Sequence, residues 1–299
     1  MTATRLRLLR LIAVPVALVG SLAVSADPPV RWQLNMTEGA SQASQSAHDL
    51  HMMTFLLCCA IGVIVYGMMF FSVWKFRKSK GAVPAKWSHN NMAEAVLTVV
   101  PALILMAMAW PATKVMLAAA DTANSAMTIK ITGYQWKWRY EYVGTPVSFF
   151  SSLKRDSAEA RRLGSGIDPY AIDNYLLDVD HPLVLPADTK VRFVLTAEDV
   201  IHSWWVPELG WKQDAIPGII NDNWTRVSKP GIYRGQCAEL CGKDHGFMPI
   251  VVEVKSQAEY AQWFADQQAA ATPPAAVAAA AVAAAETTDL AAPAASQLN

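Results

Sequence analysis

The chain has 299 residues, enough for one or two domains, with 53% hydrophobic and only 17% charged residues. That balance is too apolar for an ordinary soluble domain and places part of the chain in lipid. A formal net charge of zero carries no signature of nucleic-acid binding, and no nucleic-acid partner is expected.

Residues 1–26 read as an export signal. Arg5, Arg7 and Arg10 form a basic start, Leu11 to Val24 is almost wholly apolar but short for a span, and "AVSA" ending at Ala26 fits a cleavage site. The alternative is an uncleaved third helix. Residues 27–119 read as an outer N-terminal segment followed by a hairpin of two transmembrane helices. Met52 to Val73 and Ala95 to Thr113 carry no charge, and each is long enough to cross a hydrocarbon core roughly 30 Å thick. Lys75, Arg77, Lys78, Lys80 and Lys86 lie between them, whereas residues 27–51 hold one basic residue, Arg31. The basic loop is therefore expected in the cytoplasm. The mature termini and everything after about Ala120 are expected in the periplasm, outside a bacterial inner membrane.

Residues 120–268 read as an all-β domain. Alternating or β-rich runs at 127–142, 182–199 (two strands around Pro-Ala-Asp), 231–237 and 248–254 suggest a sandwich or barrel. Residues 146–175 are a polar insertion with one helical turn. From Ala269 to Asn299 the chain is rich in Ala and Pro and is expected to be a flexible tail.

The chemistry gathers in "GQCAELCGKDHGFMP", residues 235–249, which holds Cys237, Cys241, His245 and Met248. The best distant partner is His202, in "AEDVIHSWWVPELG". A disulfide between the cysteines leaves His245 and Met248 unexplained. Tetrahedral Cys2His2 zinc is chemically sound but leaves Met248 idle. Copper uses all five side chains, since thiolate, imidazole and a weak axial thioether are blue-copper ligands. A second cysteine permits two coppers bridged by both sulfurs. The residues alone leave the three readings open.

The two-helix hairpin, "GYQWKWRYEY" (133–142), "DVIHSWWVPELGWKQDAIPG" (199–218) and "GIYRGQCAELCGKDHGFMPIVVEV" (231–254) resemble subunit II of haem-copper cytochrome c oxidases over about residues 45–265. The resemblance implies a cupredoxin-like domain with a dinuclear copper centre, CuA. Cys237 and Cys241 would bridge two copper ions. His202 and His245 would each cap one. Met248 and the backbone carbonyl of Glu239 would be the weak ligands. The Glu239 carboxylate would also bind magnesium or manganese at the boundary with subunit I. Trp136 would be where electrons from cytochrome c enter, with Trp138 supporting it on the same strand face. Glu94, opening the second span, would sit at the mouth of the K-channel for protons. One departure is Tyr134, where many members have His.

The implied protein is a subunit of a proton-pumping terminal oxidase that takes electrons from cytochrome c. It would work with subunit I, subunit III and membrane lipid, while oxygen chemistry stays in subunit I. Glu141, Asp178 and Asp180 are candidates for an acidic docking surface. The alternatives are a quinol oxidase subunit, disfavoured because every copper ligand is present, a CuA-containing nitric oxide reductase subunit, and a zinc-stabilised membrane-anchored binding module. Cys58, Cys59, His48, His51, His89 and His181 are assigned no chemistry.

Overall fold

The computed structural model describes residues 39–271 and, before them, Trp32 and residues 34–36. The expected signal and nearly all of the Ala/Pro-rich stretch lie outside the described residues.

Two long helices come first, α1 (Gln42–Lys75) and α2 (Asn91–Ala120). Ser41 caps α1 by accepting the Ser44 N–H at 3.0 Å. Asn90 caps α2 by accepting the N–H groups of Met92 and Ala93, each at 3.1 Å. At 1.5 Å per residue the helices are about 51 and 45 Å long, beyond what a hydrocarbon core requires. Their large apolar side chains, among them Val63, Phe70, Leu97 and Leu105, point outward. A helix that is apolar around its circumference is built for lipid.

Ten strands follow among the described residues: β1 (Met127–Tyr134), β2 (Lys137–Tyr142), β3 (Ser148–Ser151), β4 (Leu183–Pro186), β5 (Val191–Ala197), β6 (His202–Val206), β7 (Trp211–Ala215), β8 (Asn221–Thr225), β9 (Gly231–Cys237) and β10 (Pro249–Lys255). They form two five-stranded sheets, ordered β3-β2-β1-β5-β8 and β4-β10-β9-β6-β7. The β1–β5 and β10–β4 pairs are parallel, and the other pairs are antiparallel. Side chains alternate across each strand. Trp138, Tyr140 and Tyr142 of β2 point inward while Lys137, Arg139 and Glu141 point out. Val191, Phe193, Leu195 and Ala197 of β5 do the same from the far side of β1. Trp204, Tyr233, Ile250 and Val252 from the second sheet complete the core.

Three features differ from the sequence expectation. The 127–142 run is a hairpin, with Gln135 and Trp136 in its turn. Trp136 and Trp138 therefore do not share a strand face. The insertion carries strand β3, a short helix α3 (Arg155–Ala160) and a 3₁₀ turn at Pro169–Ala171. A fourth helix, α4 (Gln257–Ala271), closes the described chain and lays Trp263 and Phe264 against Tyr142, with ring centroids 5.6 and 5.8 Å away.

The β domain grips both helices. Ala40 and Ser41 donate backbone N–H bonds to the Glu208 carbonyl at 2.7 and 3.3 Å. The Ser41 hydroxyl donates to the Leu209 carbonyl at 2.6 Å. At the far end of α2, the Trp224 indole N–H donates to the Ala118 carbonyl at 3.2 Å. Thr122 bonds Asp222 at 3.2 Å. The start of α1 and the end of α2 thus lie on the same side as the β domain.

Candidate metal centre

Strand β9 ends at Cys237, β6 begins at His202, and β10 follows directly on Met248. The second sheet pairs Trp204 with Cys237, which brings His202 to the loop from 35 residues away. Cys237 Sγ stands 3.9 Å from His202 Nδ1 and 3.9 Å from Cys241 Sγ. Cys241 Sγ is 3.6 Å from His245 Nδ1 and 3.5 Å from Met248 Sδ. The backbone carbonyl of Glu239 lies 3.4 Å from Cys237 Sγ. His202, Cys237, Cys241 and Met248 are buried, and His245 is half-buried. All five side chains named from the sequence, together with the Glu239 carbonyl, therefore converge.

Both cysteines are free thiols. Sulfurs 3.9 Å apart are well beyond the roughly 2.05 Å of a disulfide bond. They are close enough that one ion, at about 2.3 Å from a thiolate, touches both. The ligand atoms of His202, Cys237 and Cys241 all lie within 4.8 Å of one another, a spacing that suits a metal ion.

The electrostatics agree with that fit. Burial pushes the Cys237 thiol up, but bonds from His202 and from the Ser203 and Glu239 backbone outweigh it and bring it to about 7. Burial, reinforced by the charge of Cys237, pushes Cys241 up to about 12. The protein alone thus favours one thiolate and opposes the second. A cation between the sulfurs removes that opposition.

Sequence reasoning missed the residues that orient these donors. Asp199 Oδ1 meets His202 Nε2 at 2.9 Å, so the other ring nitrogen, Nδ1, faces the sulfurs. Asp199 also accepts the N–H groups of Gln135 and Val200, both at 2.7 Å. These bonds outweigh the cost of its burial and hold its carboxyl below the usual range. Burial disfavours a charged His202, yet Cys237 and Asp199 more than offset it and raise the imidazole pKa. Gly133 leaves room for the ring, since a Cβ there would stand 2.7 Å from His202 Cδ2. Trp138 packs edge-on against His202 at 5.8 Å, and its indole N–H reaches the Met248 carbonyl at 3.4 Å.

Trp136 lies over the loop from the outside. Its indole N–H donates to the Cys241 carbonyl at 3.2 Å, beside the Gln135 amide, which donates to the same oxygen at 2.9 Å. The contact requires Gly242, where φ is +121° and a Cβ would sit 3.1 Å from the indole. The Glu239 side chain is exposed at the tip of the loop. Glu94 stands apart from all of this, exposed in the first turn of α2. The three acidic docking candidates are already engaged. Glu141 pairs with Lys130 and Arg139, both at 3.3 Å, and Asp178 with Lys154 at 3.1 Å. Asp180 accepts the Ser152 N–H at 2.7 Å.

Fold and site together define a class: a membrane-anchored cupredoxin-like domain with a sulfur-rich metal loop. Residues 127–255 match the family described as cytochrome c oxidase subunit II, periplasmic domain, and residues 29–115 match the transmembrane domain of the same subunit. A probable cytochrome c oxidase subunit 2 of Rickettsia bellii is 40% identical over 243 residues, covering 81% of this chain and 87% of that one. Cytochrome c oxidase subunit 2 of Chondrus crispus is 34% identical, covering 82% and 94%. The crystal structure of the periplasmic domain of subunit II of cytochrome oxidase of Bradyrhizobium japonicum is 36% identical, with a TM-score of 0.44, covering 51% of this chain and all of that domain. The chain belongs to the cytochrome c oxidase subunit II family and is a component of an oxidase complex.

Proposed function

We propose that this chain takes electrons from cytochrome c at a dinuclear copper centre, CuA, and hands them to haem in subunit I, where oxygen is reduced to water and protons are pumped. The observation that supports this reading best is the meeting of two thiols, two imidazoles and a thioether around sulfurs 3.9 Å apart. Neither a nitric oxide reductase subunit nor a zinc-stabilised module is favoured by the family to which the chain belongs.

In this reading Cys237 and Cys241 would both hold the copper ions, His202 and His245 would each supply an imidazole donor, and Met248 and the Glu239 carbonyl would be the weak donors. Two copper ions sharing one electron would supply a redox couple that changes shape little. The chain's own part is rigidity. Asp199 and Trp138 fix His202, and the sheets fix the ends of the loop. Trp136 offers cytochrome c an indole bonded directly to the Cys241 carbonyl. The exposed Glu239 carboxylate is a hard oxygen ligand for magnesium or manganese at the subunit I boundary. Glu94 opens the K-channel. Subunit III and lipid complete the surroundings. The helices lie in a bacterial inner membrane, with the β domain on its periplasmic side.

The test is copper loading of the full chain purified in detergent. The expected product is purple, with two coppers per chain and an EPR signal shared over both nuclei. A colourless protein holding one zinc sinks the proposal. Cys237→Ser or Cys241→Ser abolishes the spectrum. Trp136→Ala leaves it intact and slows cytochrome c oxidation in the assembled oxidase.

A further inference from the structure

The loop from Cys241 to Met248 carries three of the proposed ligands and is weakly built. It contains Gly242 and Gly246, and its own backbone bonds are His245 N–H to Gly242 at 3.2 Å and Phe247 N–H to Asp244 at 2.9 Å. Glycines give backbone freedom that something else must remove. The polar insertion meets the loop at this point. Arg161, which caps the C-terminal end of α3, donates from Nη1 to Asp244 Oδ1 at 3.0 Å. Its guanidinium also lies 4.0 Å from the Phe247 ring centroid. Asp244 and Phe247 lie on either side of His245, and Phe247 adjoins Met248, so one side chain grips the loop on both sides of His245 and directly before Met248. The pair is 30% and 21% exposed, sheltered enough for a charge-assisted bond and a cation–π contact to hold geometry.

The insertion is itself anchored. Buried Ser157 accepts the Leu176 N–H at 3.1 Å, and Lys154 N–H reaches the Asp178 carbonyl at 3.0 Å. Asp178 then pairs with Arg234 of β9 at 3.6 Å, three residues before Cys237. The insertion therefore reaches the strand that delivers the first cysteine, through Asp178, and touches the loop that delivers Cys241, His245 and Met248.

We propose that Arg161 is a positioning residue for the metal centre, and that the insertion is a brace that fixes His245 and Met248 relative to the two cysteines. The proposal rests on the copper reading given above. In it, Arg161 touches no metal and acts only through Asp244 and Phe247.

The experiment compares the full chain in detergent with Arg161→Ala, Arg161→Lys and Asp244→Asn. Arg161→Ala and Asp244→Asn are expected to bind two coppers, to shift the visible bands and EPR hyperfine pattern, and to lose copper to a chelator about tenfold faster, as outer partners of metal ligands do. Arg161→Lys, which keeps the charge but not the planar fork over Phe247, should fall between them and wild type. Hydrogen exchange on the metal-free chain should show faster exchange at residues 242–248 in Arg161→Ala, with β10 unchanged. An Arg161→Ala protein with wild-type spectrum, copper loss and loop exchange overturns the brace. A wild-type chain that takes up no copper overturns the copper reading instead, and the exchange measurement then decides the brace alone.

Discussion

Asp199 is the residue on which the proposed centre depends most without being a ligand. It holds one ring nitrogen of His202 and is itself held by two backbone N–H groups. Asp199→Asn keeps the shape but weakens the acceptor, so copper affinity should fall about 10- to 100-fold while the fold survives; a chelator competition measures this. The cysteines set a pH dependence. At pH 8, Cys237, at about 7, is mostly thiolate, while Cys241, at about 12, is still a thiol, so copper uptake releases about one proton. At pH 6 both are thiols and about two are released, before the raised pKa of His202 adds its share. Affinity should therefore fall as pH falls, and more steeply below 7; copper titrations between pH 6 and 8 check the slope. The donors that converge were legible in the sequence because four of them share one short loop. Asp199 was not, because an acid three residues before a histidine looks like any surface acid until the 135–136 turn and β6 are folded together. Gly133 and Gly242 were hidden for the same reason, since only the folded partner shows what a Cβ would strike.

Helix α4 is fixed at its start by side chains. Ser256 and Glu259 form a capping box: the Ser256 hydroxyl and N–H both reach Glu259 Oε2, at 2.6 and 3.0 Å, and the Glu259 N–H returns to the Ser256 hydroxyl at 3.3 Å. That S-x-x-E signal was present in the sequence, but the alanine run behind it reads as low complexity and masks the helix start. Ser256→Ala should cost about 1 kcal/mol and lower the unfolding temperature of the β domain by a few degrees, because α4 packs Trp263 and Phe264 on buried Tyr142. An unchanged melting curve counts against that packing. The membrane spans were legible as uncharged runs, and the strands of β5, β9 and β10 as alternating or apolar ones. Strand order was not. The parallel β1–β5 and β4–β10 pairs join segments tens of residues apart, and no local pattern encodes which edges meet. Strand β7, "WKQDA", and β8, "NDNWT", are too polar to be read as strands at all, and exist because sheet partners satisfy their backbones.

For the whole molecule, the junction between helices and β domain turns on Gly210. It has φ of +79°, and a Cβ there would lie 2.4 Å from Ser44 Cα. Gly210→Ala should leave the β domain folded but push α1 off it, raising hydrogen exchange at residues 40–45 about tenfold. Exchange at wild-type rates would show that the junction tolerates the methyl. Without these contacts, residues 121–126 would be a six-residue leash, on which a domain wanders over roughly 13 Å. Fastened at Ser41 and again at Trp224, the β domain has no such play. Its sulfur-rich loop keeps one height and one bearing above the bilayer. A partner already embedded in the same bilayer meets it preset, with the orientational search done once, at folding, rather than at every encounter.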